Sequence, residues 1–449
     1  MKEKIIRLLF FVFLIFLPFS AKKFLFSLPA LLFGNQINEL NSVFLFASDI
    51  FLILFVVSVL WFWGQDFKKI VISNKLILVF LVLGLVSIFF ASDIYMSFYF
   101  RLRFLLVSSA AFAIGVLIKN SLLKFDCIMF GLGLSAVFQS MVAILQFLAQ
   151  KSIGLWFLGE SIINLNSEGV ARVMINGVKM LRAYGTMPHA NILAGFLILG
   201  LIALFYLFIR NFNDKFWKKL LISVGIFIIC LGLIFSFSRS GWIAALISIV
   251  LFFVLGFFNK AERKKFWQLL ALLFCIFAIL FFAFGSMIFP RAHFSSGEIS
   301  VNHRMIYNKI GLEIIKGNPL GVGIGNQVIF GVNNGLYEKY GLKESWSWQP
   351  VHNIYLLIGS ELGVFGLIVF LLIIIFLIFQ KDNEKRFLIF KKNLDFNVLL
   401  TILSGFLIFG LFDHFYWDLQ SGRLMFWLVL GMMIGLSPRR STDPRTIIN

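Results

Sequence analysis

Charge is scarce in this sequence. Asp, Glu, Lys and Arg make up 14% of 449 residues, against about 25% in ordinary soluble domains, which excludes a soluble globular protein. Alternating strands of roughly ten residues are missing too, which excludes an outer-membrane-type barrel. Cysteine is rare. Cys127, Cys230 and Cys275 fall inside apolar runs without paired spacing, so neither a disulfide framework nor a cysteine metal site is expected, and the three read as small buried apolar residues. Familiar catalytic signatures are absent as well. There is no DxD pair for a metal and a nucleotide diphosphate, no HExxH, no GxSxG and no Walker motif. No internal repeat or inverted pseudo-symmetry between halves is visible.

What is present is hydrophobic length. The chain is 60% hydrophobic, with recurring runs long enough to cross a hydrocarbon core of about 30 Å. Spans are expected at the N-terminus and at about 43–63, 76–92, 99–118, 126–149, 190–209, 217–237, 240–258, 266–289, 352–379, 397–413 and 421–437. The fold class is therefore all-α: a polytopic integral membrane protein of about twelve transmembrane helices in one membrane domain over 1–449. Its large external loop, 290–351, lies between spans nine and ten and carries a short helix. Residues Lys2 to Ser20 resemble a signal peptide, but Lys22 and Lys23 follow directly, and an uncleaved first span is preferred. Phe24 to Phe33 is too short to cross and is expected at the outer interface. The 59 phenylalanines are expected to face mostly lipid.

Lys and Arg set the orientation. With the N-terminus inside, every inner loop is short and basic, both termini are cytoplasmic, and the tail 438–449 is polar. The net charge of +19 is then the signature of cytoplasmic loops beside a lipid bilayer, and no nucleic acid partner is implied. The longer loops 150–189 and 290–351 fall outside.

Two outer arginines sit where helix physics disfavours a cation. Arg239, in FSFSRSGW, lies in a tight turn, with Ser238 or Ser240 as cap for the span running to Phe258. A cation beside the positive end of a helix dipole costs about 0.3–1 kcal/mol. The placement makes sense where an anion binds; an arginine snorkelling to headgroups is the structural alternative. Arg304 falls in the first turn of a helix expected from about His303 to Lys316 and capped by Asn302. Ile306, Ile310 and Ile314 form its apolar stripe, and Gly317-Asn318-Pro319 ends it. A solvated loop arginine is the alternative there.

His352 follows Pro350 and opens the tenth span, with Asn353 beside it and Tyr355 one turn on along the same face. Histidine suits proton transfer near neutral pH; an interfacial histidine at a helix start is the alternative. Glu361, about 13 Å deeper by helix rise, is expected to partner a buried polar group. In MLRAYGTMPHANILAGF, Arg182 and His189 can share the same outer cleft or serve structure alone. LFDHFYWDLQSGRLMFW places Asp413, His414, Asp418 and Arg423 at the outer face, where they can pair with one another. GNPLGVGIGNQ contains GxGxG without a preceding strand, so an anion nest or a close-packed turn fits better than a dinucleotide site.

In order and topology, SRSGW, Arg304 with its helix ending in GNPLGVGIGN, and HNIYLLIGSELGVFG resemble the O-antigen ligase and O-antigen polymerase superfamily. RAYGTMPHANILAG and DHFYWDLQSG are similar to further blocks of that family, so the resemblance covers roughly 180–437. It implies transfer of a glycan from an undecaprenyl-pyrophosphate carrier to an acceptor hydroxyl outside the inner membrane, with no metal and no other cofactor. The acceptor is lipid A core in a ligase, another lipid-linked glycan in a polymerase, and protein in a related branch. On the resemblance, Arg239 and Arg304 bind the pyrophosphate and His352 is the general base, with Arg182, His189, Asn353 and Tyr355 as secondary pocket residues. A non-enzymatic transporter or flippase of the same lipid-linked glycan is the alternative. A transporter, however, keeps its ionisable groups near the midplane on broken helices.

Overall fold

Backbone surrounded by lipid must satisfy its own hydrogen bonds, so long apolar runs become helices. In the computed structural model, which describes residues 2–27, 42–210, 216–292, 299–380 and 393–437, they do. The helices are α1 (Lys2–Phe16), α2 (Ala47–Ser73), α3 (Lys75–Val86), α4 (Ile94–Lys119), α5 (Phe125–Ala149), α6 (Ala190–Arg210), α7 (Phe216–Phe235) and α8 (Arg239–Phe257). They continue with α9 (Arg263–Ala292), α10 (Ile299–Gly317), α11 (Gln327–Asn333), α12 (Leu336–Lys339), α13 (Ile354–Ile378), α14 (Leu394–Phe409), α15 (Phe415–Asp418) and α16 (Gln420–Leu436). Eight of these, α2, α4 to α9 and α13, are long and apolar enough to cross a membrane, and α3, α14 and α16 are shorter apolar helices. The chain is a polytopic membrane protein.

The fold is not purely helical. β1 (Lys22–Ser27) pairs antiparallel with β2 (Ser42–Phe46), and β3 (Arg172–Ile175) with β4 (Val178–Leu181). The first hairpin replaces the start of the interfacial segment expected at Phe24 to Phe33; the rest of that segment lies outside the described residues, as does the tail 438–449. α2 starts at Ala47, after β2, and runs on to Ser73 through a kink at Trp63. The cysteines depart from expectation: Cys127 and Cys275 are exposed and Cys230 is half-buried. An apolar run does not say which helix face meets lipid. The phenylalanines divide for the same reason, with Phe10, Phe55, Phe104 and Phe196 fully buried and Phe274 and Phe282 on the outside.

α6 is the axis of the bundle. Every residue from Ala190 to Ile209 is buried, enclosed by α5, α7, α8 and α14. α16 lies against α4 at very close range. A Cβ on Gly431 would come within 2.7 Å of the Ala111 carbonyl oxygen, and one on Gly435 within 3.2 Å of that of Gly115. Small residues four apart on both helices make this contact, the usual device where helices meet without a hydrophobic driving force. A buried polar knot ties the first turns of α2 and α16 to the third turn of α4. Arg103 Nη2 lies 3.2 Å from Asp49, and Gln420 Nε2 donates to Asp49 at 2.7 Å.

The segment between α9 and α13 has its own small core of Tyr307, Ile310, Ile314, Val322, Val328 and Tyr337. α9 continues through Pro290 to Ala292, so Arg291 is a helix-end residue. α10 begins at Ile299, four residues before the expected start. Asn302 is therefore inside the helix, and Arg304 is in its second turn instead of its first. The stripe Ile310–Ile314 is buried and the helix ends at Gly317.

The glycine-rich stretch after α10 is a close-packed seam. α13 is broken at Gly363, which has φ 72° and ψ −178°. The chain at 319–323 fills the break: Val322 N donates to Ser360 O at 2.9 Å, Gly323 N to Glu361 O at 3.0 Å, and Val364 N to Pro319 O at 2.9 Å. Irregular backbone inside a membrane protein is tolerated where protein satisfies it in this way. The Glu361 side chain accepts from Trp417 Nε1 at 2.7 Å, which makes it a tie between α13 and α15.

Candidate functional site

The residues singled out above converge where α6, α8 and α13 begin. The turn between α7 and α8 is the hinge point. Phe237 holds a left-handed backbone, φ 47°, a conformation that costs a bulky residue of order 1–3 kcal/mol and tends to persist at functional sites. That turn presents two carbonyls to two arginines. Ser236 O accepts from Arg182 Nε at 2.8 Å and Phe237 O from Arg291 Nε at 3.1 Å. Ser238 caps α8, its Oγ accepting from Gly241 N at 3.2 Å, and Arg239 is the first helical residue.

Asn191, in the first turn of α6, joins these parts. Its Oδ1 accepts from Arg182 Nη2 at 2.6 Å and from Ser238 Oγ at 2.9 Å, while its Nδ2 donates to Asp413 Oδ2 at 2.6 Å. The chain before α6 is held in place by two buried glutamines of α5. Gln146 Oε1 accepts from Tyr184 N and Gly185 N, and Gln139 bridges to Thr186. This anchoring delivers Arg182 and His189 to the same space as Asp413.

Three histidines line the site, each with a different Nδ1 partner. His189 Nδ1 accepts from Asn191 N at 3.1 Å. That partner is a donor, so the neutral ring carries its proton on Nε2. His352 Nδ1 lies 2.9 Å from Pro350 O. A carbonyl can only accept, so Nδ1 carries the proton, and in the neutral ring Nε2 keeps a lone pair. His414 Nδ1 lies 2.7 Å from the Asp418 carboxylate. The rings of His352 and His414 are T-shaped at 4.8 Å, and Tyr307 of α10 stacks on His352 at 5.3 Å and 16°.

The charges respond to this crowding. Burial, then His414 and Arg304, push His352 down to about 3. Burial, with Arg182 beside it, takes His189 to about 3. Burial, Arg291 and Arg304 together lower Arg182 to about 9. For Asp413, burial alone would raise the carboxyl, but His414, His352, Arg304 and His189 outweigh it and hold it well below the usual range. For His414, burial alone would depress the ring, and Asp418 and Asp413 more than reverse that. Arg304 acts on all five of these groups, yet among the described residues it makes no hydrogen bond or ion pair.

The site thus brings together Arg182, His189, Arg304 and His352, with Arg239 one residue from Ser238. It leaves out two candidates. Asn353 is the cap of α13, accepting from Tyr355 N and Leu356 N. His352 therefore precedes the helix, and the expected shared face with Tyr355 does not form. The Tyr355 hydroxyl instead donates to Leu407 O on α14 at 2.8 Å. Three further members were not assigned to the site from sequence. Arg291 shares with Arg239 only its place at the end of a span, since it lies in the last turn of α9, where the dipole favours a cation. Asn191 and the pair His414–Asp418 had only proximity to such ends as a signal. Among the described residues no group of three His, Cys, Asp or Glu has the arrangement of a metal site.

Residues 224–371 match the family model described as O-Antigen ligase. The chain carries an O-antigen ligase family domain over that stretch. It includes Arg239, Arg291, Arg304 and His352 and excludes Arg182, His189, Asn191, Asp413 and His414. No curated protein matches the chain.

Proposed function

We propose that the chain, with its O-antigen ligase domain over residues 224–371, is a membrane glycan transferase of the ligase or polymerase type. It moves an oligosaccharide from undecaprenyl pyrophosphate to an acceptor hydroxyl on the outer side of the cytoplasmic membrane, without metal or other cofactor. In this reading the shorter helices complete about twelve crossings, both termini are cytoplasmic, and 290–351 is the external loop. The observation that carries the reading is the gathering of buried and half-buried cations, Arg182, Arg291 and Arg304, around His352, whose Nδ1 is engaged by the Pro350 carbonyl and whose Nε2 is left for the acceptor.

The chemistry follows from those positions. His352 Nε2 takes the proton of the acceptor hydroxyl as its oxygen bonds to C1 of the donor sugar. The bond from C1 to the diphosphate oxygen breaks, and the electron pair leaves with the diphosphate. Arg304 and Arg291, with Arg239 at the start of α8, stabilise that developing charge more than the ground state, which is what accelerates the step. His189 offers an Nε2 proton to a phosphate oxygen. Attack from the face opposite the leaving diphosphate, with one base, inverts the anomeric carbon. The acceptor is lipid A core, a second lipid-linked glycan or protein. The ionisable groups of the site lie at helix ends and in the chain beside them, while Glu361 at the break in α13 is tied to Trp417, an arrangement that favours an enzyme over a transporter.

The test is transfer by purified protein from an undecaprenyl-pyrophosphate oligosaccharide to each acceptor class, with chelator present. Arg304→Ala and His352→Ala should each lose about 10²–10³-fold in rate. Transfer by either variant at the parent rate, or a need for added divalent cation, refutes the proposal.

A further inference from the structure

Two histidines face each other in this site, and only one is held by a carboxylate. The Nδ1 proton of His352 goes to the carbonyl of Pro350 at 2.9 Å, a neutral acceptor. The Nδ1 proton of His414 goes to Asp418, 2.7 Å away and buried. The backbone amide of His414 also binds Asp413 Oδ1 at 2.9 Å, which brings a second carboxylate beside the same ring. The rings are 4.8 Å apart. Two imidazolium ions at that distance repel strongly in a buried site, so the pair holds at most one proton beyond its two Nδ1 protons. A carboxylate stabilises an imidazolium and a carbonyl does so far less.

We propose that His414, braced by Asp418, is a positioning residue that stores this proton as an imidazolium, and that its charge keeps His352 neutral with a free Nε2. This rests on the reading of His352 as the base. The groups around the pair are consistent with the assignment. Asp413 and Asp418 face His414 from its own loop and short helix, while His352 faces it from the start of α13, Arg304 from α10 and His189 from the chain before α6. Glu361 of α13 is in the field of Asp418. Burial and the cations press on both rings and Asp413 supports both, but only His414 also has Asp418 in hydrogen-bond contact to offset them. His352 is accordingly displaced down and His414 up.

The consequence concerns readiness. A histidine that protonated at its ordinary pKa would spend part of its time as an acid near neutral pH. Beside a stored positive charge, His352 remains a base. An anionic donor bound at Arg304 then offsets the local positive charge and raises the basicity of His352 when the acceptor is to be deprotonated.

The experiment is a ¹⁵N-histidine NMR titration of the full chain in detergent, without substrate, with signals assigned by His352→Gln and His414→Gln. Near pH 7 His414 should be charged and His352 neutral with its proton on Nδ1. Removing His414 takes away the nearer positive charge and leaves the more distant negative one. The His414→Gln protein should therefore protonate His352 at a pH higher by about 1–3 units. Asp418→Asn, a conservative change, should lower the pH at which His414 gains its proton and raise His352 by a smaller amount. In transfer assays the acid limb of kcat/KM should move up in both variants, whereas a merely structural role would lower the rate equally at every pH. His352 charging before His414, or titrations unmoved by Asp418→Asn, overturns the proposal. The titration needs no donor, so it separates this inference from the glycan-transfer reading: the order of protonation can hold in a protein that transfers nothing.

Discussion

Replacing Gly363 by alanine attacks the seam that holds the glycine-rich stretch to the broken helix α13. At φ 72° and ψ −178° the backbone occupies a region open almost only to glycine, and a β-carbon there costs about 1–3 kcal/mol. The new Cβ would also stand 2.4 Å from Pro319 O and 2.5 Å from the carbonyl carbon of Leu320. Both obstacles are backbone, so the segment 319–323 has to move. The facing glycine offers no slack, because Gly321 has φ 86° and its own Cβ position lies 2.4 Å from Glu361 O. Moving that segment strains three hydrogen bonds, from Val322, Gly323 and Val364, each worth about 1 kcal/mol net. Full opening therefore costs about 4–6 kcal/mol, comparable with the whole stability of many proteins. Thermal unfolding of purified protein in detergent measures it, with Gly317→Ala as control, since nothing lies within 4 Å of that position. The expected outcome is a Tm lower by several degrees and a parallel loss of any activity that depends on His352, nine residues before Glu361. Unfolding indistinguishable from that of Gly317→Ala would refute the steric account of the seam.

Three further outcomes are expected. Arg291→Gln removes a cation beside Arg182 and should slow transfer by about 10²-fold with little change in Tm, measured by initial rates at saturating donor. Asn191→Ala deletes bonds to Arg182, Ser238 and Asp413 and should lower stability by about 3 kcal/mol or more, seen as a lower Tm. In the parent protein, activity should persist below pH 6.5, the ordinary histidine value, because a base with a depressed pKa stays deprotonated until the pH falls through that lower value. On the alkaline side His414 loses its proton through a raised pKa, which removes one of the positive charges that favour the anionic donor, so kcat/KM should fall there. A kcat/KM profile from pH 4 to 9 checks both limbs.

Much of the frame was legible in the sequence because hydropathy is a local property. The positions of α4 to α9 and α13 follow from apolar runs alone. The helix of Arg304 was legible through its isoleucine stripe and its Gly-Asn-Pro stop, whereas its start was not, since nothing in ISVN marks an N-terminus sharply. The break at Gly363 was invisible because it is filled by a segment, 319–323, that lies about forty residues earlier in the sequence. In the site, Arg239 and Arg304 stood out as cations on the wrong side of a charge rule, a signal readable one residue at a time. Asn191 and the His414–Asp418 pair owe their importance to partners, Asp413 and His352 respectively, that only folding brings near. Tyr355 erred in the other direction. Helical periodicity was applied one residue beyond the true cap, and Asn353 set the limit.

The placement of charges has one further physical consequence. His189 immediately precedes α6, Arg239 is the first residue of α8, and His352 lies two residues before α13. Each helix start carries unsatisfied N–H groups and the positive end of a dipole, and Arg182, Arg291 and Arg304 add full charges to the same region. The acids nearby are largely committed. Asp413 is bound by Asn191 and the His414 amide, and Asp418 by the His414 ring. Hydrogen bonds to the 236–237 carbonyls and to Asn191 hold Arg182 and Arg291 in place, but the mutual repulsion of so many cations beside helix starts opposes folding. A multiply charged anion reverses the sign of each of these interactions at once, because dipoles, guanidiniums and the stored proton of His414 all favour it. The arrangement therefore selects for charge density in the ligand before any contact to sugar, which is the property that distinguishes a diphosphate-linked donor from the neutral glycans and zwitterionic lipids around it.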